Sequence, residues 1–438
     1  MKAKNSRQTE SKALRLLSAC FLQMVSVPNP IRVLCEMGGH EPQTSALRVI
    51  LPPMRAISLL PLIAASALAF AQSNPPAAPP IWQMQDSGTT AGLRGIDSVD
   101  GTVAWASGTG GTVLKTLDGG AHWTQCATPD AAKDGATLDF RGVQAWNAMR
   151  AVVLASGPGD KSRLYKTTDG CGTWNLILRN SEKDGFWDSI YFDLTAGGTG
   201  RRSTGFILGD PVSGHFLLLE SRDFGLEWVK QRGIGLEADQ ANQGAFAASN
   251  SSFFDPGWAP VFGSGGTAGA FVYRRVKSSV CVDECDPGNM NLDGKDDRWE
   301  RVPVPLGKNS QSSGVFAIRQ KVRIAYNPPF EVLPLIAVGG DYTKPNESTG
   351  TAAWSADGGE HWTASITPPH GYRSAVQWSE TLKLWITVGT NGSDISRDDG
   401  KTWQPLDDGN WNALSLPFVV GPNGRIARLN PAALPASK

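Results

Sequence analysis

Thr116-Leu117-Asp118-Gly119-Gly120-Ala121-His122-Trp123 is the stretch that decides the fold, because the chain repeats it at intervals. The phrase returns over residues 167–174 (Asp169, Trp174), 221–228 (Asp223, Trp228), 355–362 (Asp357, Trp362) and 396–403 (Asp398, Trp403). The shared pattern, here called a box, is Ser/Thr-x-Asp-x-Gly-x-x-Trp, with Cys171 at the Gly position of the second copy, and recurrence at a near-fixed period marks a propeller or solenoid. Successive tryptophans are 51, 54, 134 and 41 residues apart. The interval of 134 is too long for one repeat and predicts a worn copy inside it. Pro260-Val261-Phe262-Gly263 and Phe271-Val272-Tyr273 supply its strands, and Leu292-Asp293-Gly294 with Trp299 its box.

Each box is preceded by an apolar run, a Gly turn and a second apolar run, as in Val103-Ala104-Trp105-Ala106-Ser107-Gly108 leading to Val113-Leu114. A short strand follows each box, such as Trp174-Asn175-Leu176-Ile177-Leu178. Four strands per repeat make a propeller blade. Six blades are complete. The tail offers three further strands, around Trp411, Phe418 and Ile426, with no box. Its missing outer strand is Ile81-Trp82-Gln83-Met84 at the other end. The fold class is therefore all-β: a seven-bladed β-propeller of four-stranded antiparallel blades, over residues 81–430, with the last blade closed by the N-terminal strand. Such closure removes an exposed sheet edge.

What precedes the repeats reads as targeting rather than fold. Met54-Arg55, the apolar run to Phe70 and Ala69-Phe70-Ala71 form the basic, apolar and small-residue regions of a signal peptide, residues 54–71. Residues 1–53 are then an upstream extension, expected to be a gene-model artefact with translation starting at Met54. The alternative is a cytoplasmic tail with the apolar run as an uncleaved anchor. Residues 72–80 are a Pro-rich linker and 431–438 a C-terminal tail. Export to the periplasm or the medium follows. Eight of the 41 Lys/Arg and three of the 41 Asp/Glu fall in residues 1–71, so the rest carries a net charge of −5 and no electrostatic footprint for nucleic acid. In an exported chain, Cys126, Cys171, Cys281 and Cys285 can form disulfides: Cys281 and Cys285 are close enough to pair in a loop, and Cys126 with Cys171 would link adjacent repeats.

The box residues read as structural. The Asp accepts hydrogen bonds from its own turn, the Gly permits positive φ, and the Trp packs between blades. Asn289, Asn291, Asp293 and Glu300 match the oxygen spacing of a calcium loop, but without flanking helices the expectation is a polar turn and no metal. A ligand is expected instead at one mouth of the central channel, where the first strand of each blade begins. Aligning Leu93-Arg94-Gly95, Phe140-Arg141-Gly142, Phe186-Trp187-Asp188, Ala245-Phe246-Ala247, Val315-Phe316, Tyr372-Arg373-Ser374 and Asn410-Trp411-Asn412 offers Arg94, Arg141, Trp187, Phe246, Arg373 and Trp411. Asp210 and Asp341 are placed in nearby loops. Such a ring suits an anionic or peptide partner.

The Thr-x-Asp-Gly-Gly-x-x-Trp phrases and the closing Trp411-Asn412-Ala413-Leu414…Val420-Gly421-Pro422-Asn423-Gly424 resemble the photosystem II stability/assembly factor family. The resemblance implies an exported propeller that binds a protein partner during assembly of a membrane complex, with an Arg-lined patch to which Arg94, Arg141 and Arg373 are the matching positions. It implies no cofactor and no enzymatic activity; a monomer without a membrane span after signal cleavage is expected. The alternative is a sialidase-like glycoside hydrolase, because such boxes are known there. The Arg-Ile-Pro phrase of sialidases is missing, and no Tyr sits beside a Glu partner in the blade alignment. No phosphate-binding loop, nucleotide fingerprint or Ser-His-Asp order is present.

Overall fold

The computed structural model describes residues 79–193, 204–256, 260–276, 297–321 and 332–436. The expected extension and signal peptide, Cys281, Cys285, Asn289, Asn291 and Asp293 lie outside the described residues.

The second strand of most blades is an unbroken apolar run because both of its faces are covered. Ala104–Gly108, Ala151–Ala155 and Leu384–Gly389 are buried at every position. A strand facing water on one side would alternate instead. The outer strands do face water: Asn175–Arg179 is exposed or half-buried throughout. Seven four-stranded antiparallel sheets result. Blades 1 to 6 run in chain order from the axis outward, with innermost strands Leu93–Ser98, Phe140–Ala145, Trp187–Phe192, Phe253–Phe254, Ser313–Gln320 and Ala375–Ser379.

Blade 7 is composite. Ala413–Ser415, Phe418–Val420 and Ile426–Leu429 form its inner three strands, and Trp82–Gln85 is the fourth. Trp82 pairs with Leu429 and Gln85 with Ile426, so the expected closure by the N-terminal strand is present. The innermost strand of each blade touches that of the next, and blade 7 returns to blade 1.

The core lies between blades rather than within them. Seven hydrophobic clusters fill the seven interfaces. One joins Leu93, Ala104 and Leu114 of blade 1 to Phe418, Val420 and Ile426 of blade 7. Another joins Leu164 to Trp187 and Ile207, across blades 2 and 3. Polar clasps reinforce the inner ring. Asp97 accepts the N–H of Ala145, Gln144 exchanges two bonds with the backbone of Phe192, Gln377 accepts the N–H of Leu416, and Ser415 accepts the N–H of Ser98. Each clasp reaches from one blade to the next.

The boxes turn the third strand into the fourth at the rim. Thr116 Oγ donates to Asp118 and accepts the N–H of Gly120, while Asp118 accepts the N–H of His122. Hydrogen bonds from His122, backbone first and then side chain, hold the Asp118 carboxyl down to about 2. The other four boxes repeat this geometry. Gly120 has φ +87, but its counterpart in the second box is Cys171 at φ +75. That cysteine forms the disulfide with Cys126, Cα to Cα 5.4 Å, tying blade 2 to blade 1. In the worn copy, Trp299 lies within the strand Arg298–Pro303 and packs on Phe262.

Candidate functional site

In four of the seven blades the channel mouth is built by one inserted residue in the innermost strand. Leu93 pairs with Gly108 and Gly95 with Ser107, which leaves Arg94 unpaired between them. The ladder skips Arg141 in blade 2, Asp188 in blade 3 and Phe316 in blade 5 in the same way. A bulge of this kind re-aims the extra side chain, and here it separates core from channel. The residue before each bulge packs between blades: Leu93, Phe140, Trp187 and Val315 are buried.

That geometry corrects three of the expected mouth residues. Trp187 occupies the Leu93 position rather than the Arg94 position, inside the cluster between blades 2 and 3. Arg373 and Trp411 do likewise. Leu93 N–H bonds Gly421 O, Trp411 N–H bonds Gly389 O and Arg373 N–H bonds Gly339 O, one equivalent contact to the preceding blade in each case. Arg373 is fully buried. Its guanidinium is consumed by Asp394, His370, Asn391 and the Tyr372 carbonyl. Asp394 in turn raises the pKa of His370 through its hydrogen bond. Trp411 stacks obliquely against Trp82, ring centroids 6.0 Å apart. All three are framework, one residue short of the channel.

Arg94 and Arg141 do reach the mouth. They share Asp139, at 3.5 Å and 2.8 Å from their Nε atoms. Arg141 also donates to the Ala247 carbonyl and lies over the Phe186 ring. Arg94 is about one-third exposed, and its Nε has no hydrogen-bond partner among the described residues. Burial lowers its pKa, against the opposing pull of Asp139.

The far side of the mouth is acidic. Burial raises the Asp188 carboxyl well above its ordinary value, and the neighbouring Asp210 charge adds to this. Burial likewise pushes Asp210 up to about 6, although it accepts the N–H of Ala245. Asp210 and Phe246 line one cavity of about 340 Å3 together with Asp184 and Gln311. Phe246 stacks on Phe316 at 3.9 Å, and Tyr342 and Tyr372 meet Phe316 edge-on. Tyr342 is half exposed, so this aromatic wall opens to solvent. Asp341 serves its own loop: burial opposes its charge, but Thr343, Ser312 and Ser310 hold the carboxyl down to about 2.

Blade 4 departs most from the alignment. Its inner strand is only Phe253–Phe254, and the segment before it crosses the channel. Ser249 Oγ donates to the Ser374 carbonyl of blade 6, and Asn250 accepts the N–H of Ile190 of blade 3. The channel is thereby divided into two ends. Sequence reasoning missed Asp139, Asp188, Phe316 and Tyr342. The acids were legible only as neighbours of the aligned Arg and aromatic positions.

Of the calcium-loop match only Glu300 is described, and it pairs with Arg274 on an outer strand. Among the described residues, Asp357, Glu360 and His361 lie close enough together to hold an ion, but they are an exposed box turn in which Asp357 already binds Ser355 and His361.

No protein-family model matches the chain, and no curated protein is significantly similar to it. Among solved structures, it is similar to YCF48 bound to D1 peptide, at 18% identity and TM-score 0.49, over 80% of this chain and 96% of that one. YCF48 from Cyanidioschyzon merolae gives 19% identity and 0.47 over 80% and 99%. The computationally designed Ika8 protein gives 9% and 0.43 over 80% and 100%. Likeness at this distance assigns no activity.

Proposed function

We propose that this propeller is an exported, non-enzymatic binding protein that captures a segment of a protein partner at the mouth formed by Arg94, Arg141, Phe246, Phe316 and Tyr342. The observation that carries the reading is the state of Arg94. It is a partly exposed guanidinium at the channel entrance, held only loosely by Asp139 at 3.5 Å from its buried Nε, and among the described residues no hydrogen bond ties its Nη groups. Beside it stands an open aromatic wall. A carboxylate with adjacent apolar side chains satisfies both. A peptide chain provides that combination, and the resemblance to photosystem assembly factors points to a partner from a membrane complex.

Export is supported by the signal-peptide pattern of residues 54–71 and by the disulfide, which persists in oxidising compartments. A sialidase-like site would need a Tyr paired with a Glu, and among the described residues no tyrosine donates its hydroxyl to a Glu carboxylate. Tyr165 bonds Asp130 and Tyr191 the Asp255 carbonyl. The test is affinity capture from envelope extract with the wild type and with Arg94→Gln/Arg141→Gln. Loss of the captured partner from the double variant, at unchanged melting temperature, is expected. Equal recovery by both proteins removes the proposal.

A further inference from the structure

The other end of the channel holds a second, smaller site. Asp97 lies three residues beyond Arg94 on the same strand, about 10 Å further along the axis. It opens on a cavity of about 150 Å3 lined by all seven blades, with Asn250, Arg319 and Ser415 among its walls. Most polar groups around this cavity are already spent. Gln144 and Gln377 clasp neighbouring backbones, and Tyr191 donates to the Asp255 carbonyl.

Two groups of opposite charge are not spent. Asp97 uses Oδ2 on the N–H of Ala145, at 2.7 Å, while Oδ1 has no donor among the described residues. Arg319 uses Nη1 on the carbonyls of Ser251, Phe253 and Ile318, and Nη2 on Ser251 Oγ alone. Its Nε and one Nη2 hydrogen remain without an acceptor among the described residues. Asp97 and Arg319 feel each other's charge across the cavity, yet no ion pair joins them. A half-open cavity with such a facing pair binds a molecule that carries both complementary charges better than either ion alone.

We propose that this axial cavity binds a small free α-amino acid, its ammonium on Asp97 and its carboxylate on Arg319. An apolar cavity of about 150 Å3 admits benzene, a molecule of about six non-hydrogen atoms, and glycine and alanine are of that size. Larger side chains exceed the space. The site is independent of partner capture at the opposite mouth.

The experiment is thermal unfolding of the purified protein with glycine, L-alanine, L-leucine, sodium acetate and methylammonium chloride, each in the millimolar range. Glycine or alanine is expected to raise the melting temperature, and acetate, methylammonium and leucine to leave it unchanged. Asp97→Asn keeps an acceptor for Ala145 N–H and is expected to weaken binding about tenfold or more. Arg94→Gln/Arg141→Gln is expected to retain the full response. The proposal is overturned if neither glycine nor alanine shifts the wild type. It is equally overturned if either single ion matches them, if Asp97→Asn responds like the wild type, or if the Arg94/Arg141 variant loses the effect.

Discussion

Arg94 and Arg373 are the same residue type near one channel mouth, and the ladder gives them opposite work. Arg373 holds the buried Asp394 carboxylate within blade 6, and removing it leaves that charge uncompensated. Arg373→Ala is expected to cost about 3–5 kcal/mol, read from urea denaturation, whereas Arg94→Ala should stay within about 1 kcal/mol. Similar losses from both would contradict the bulge assignment. The buried carboxyls set a pH dependence of their own. Burial raises Asp97 to about 7 and Asp210 to about 6, against about 3.9 in the unfolded chain. Between those values the folded state holds protons that the unfolded state has released. Stability is therefore greatest near pH 4 and falls as pH rises to 7, by a few kcal/mol. Box carboxyls such as Asp118 and Asp169, held near 2, act oppositely and lose their contribution as pH falls toward 2. Asp97→Asn should flatten the fall between pH 4 and 7, measured as the urea midpoint across that range. A wild-type midpoint that rises over the same interval would sink the assignment.

Among the elements, the second box is the informative one, because Cys171 stands at φ +75 where the other boxes have Gly. A β-carbon in that region costs energy, which the cross-link to Cys126 offsets by shortening the unfolded chain. The closed loop spans 45 residues, worth about 4 kcal/mol in the chain-entropy account. Cys126→Ser/Cys171→Gly should lose somewhat less, since glycine relaxes the turn, and its melting temperature should ignore added dithiothreitol while the wild type's drops. A wild type equally indifferent to reductant would show that the cross-link contributes nothing. The boxes and the blade number were legible because each rests on local chemistry repeated at a period, whereas the sequence left the pairing of the four cysteines open. The mouth register was not. A bulge adds one residue to one strand without changing composition, so Arg94 and Arg141 aligned correctly while Trp187, Arg373 and Trp411 fell one place short. The crossing segment before Phe253 was illegible for a related reason. Ala245-Phe246-Ala247 has the apolar look of a strand, but its neighbourhood bonds across the channel instead of along a ladder.

At the scale of the whole molecule, the ring depends on one short strand from the far end of the chain. Trp82–Gln85 covers the edge of Ile426–Leu429, and Trp82 carries the joint. Its indole is 5% exposed, donates to Ser393 Oγ at 3.1 Å in blade 6 and packs on Trp411. One side chain thus binds the first strand to two blades more than 300 residues away. Contacts that distant in sequence form late, because loop closure must be met before they contribute. Trp82→Ala should therefore act mainly by speeding unfolding, with little change in the folding rate. Its equilibrium cost should be about 3–5 kcal/mol, the range for deleting a buried indole, with an unchanged urea m-value. Deleting residues 79–86 goes further and bares the Ile426–Leu429 edge, which offers unpaired backbone groups to other copies. That variant should form concentration-dependent oligomers by size-exclusion chromatography, and a synthetic peptide of residues 79–86 should return it to monomer by refilling the edge. A deletion variant that stays monomeric and melts like the wild type would mean the ring is held shut by its inner strands alone, and the outer strand of blade 7 would be dispensable.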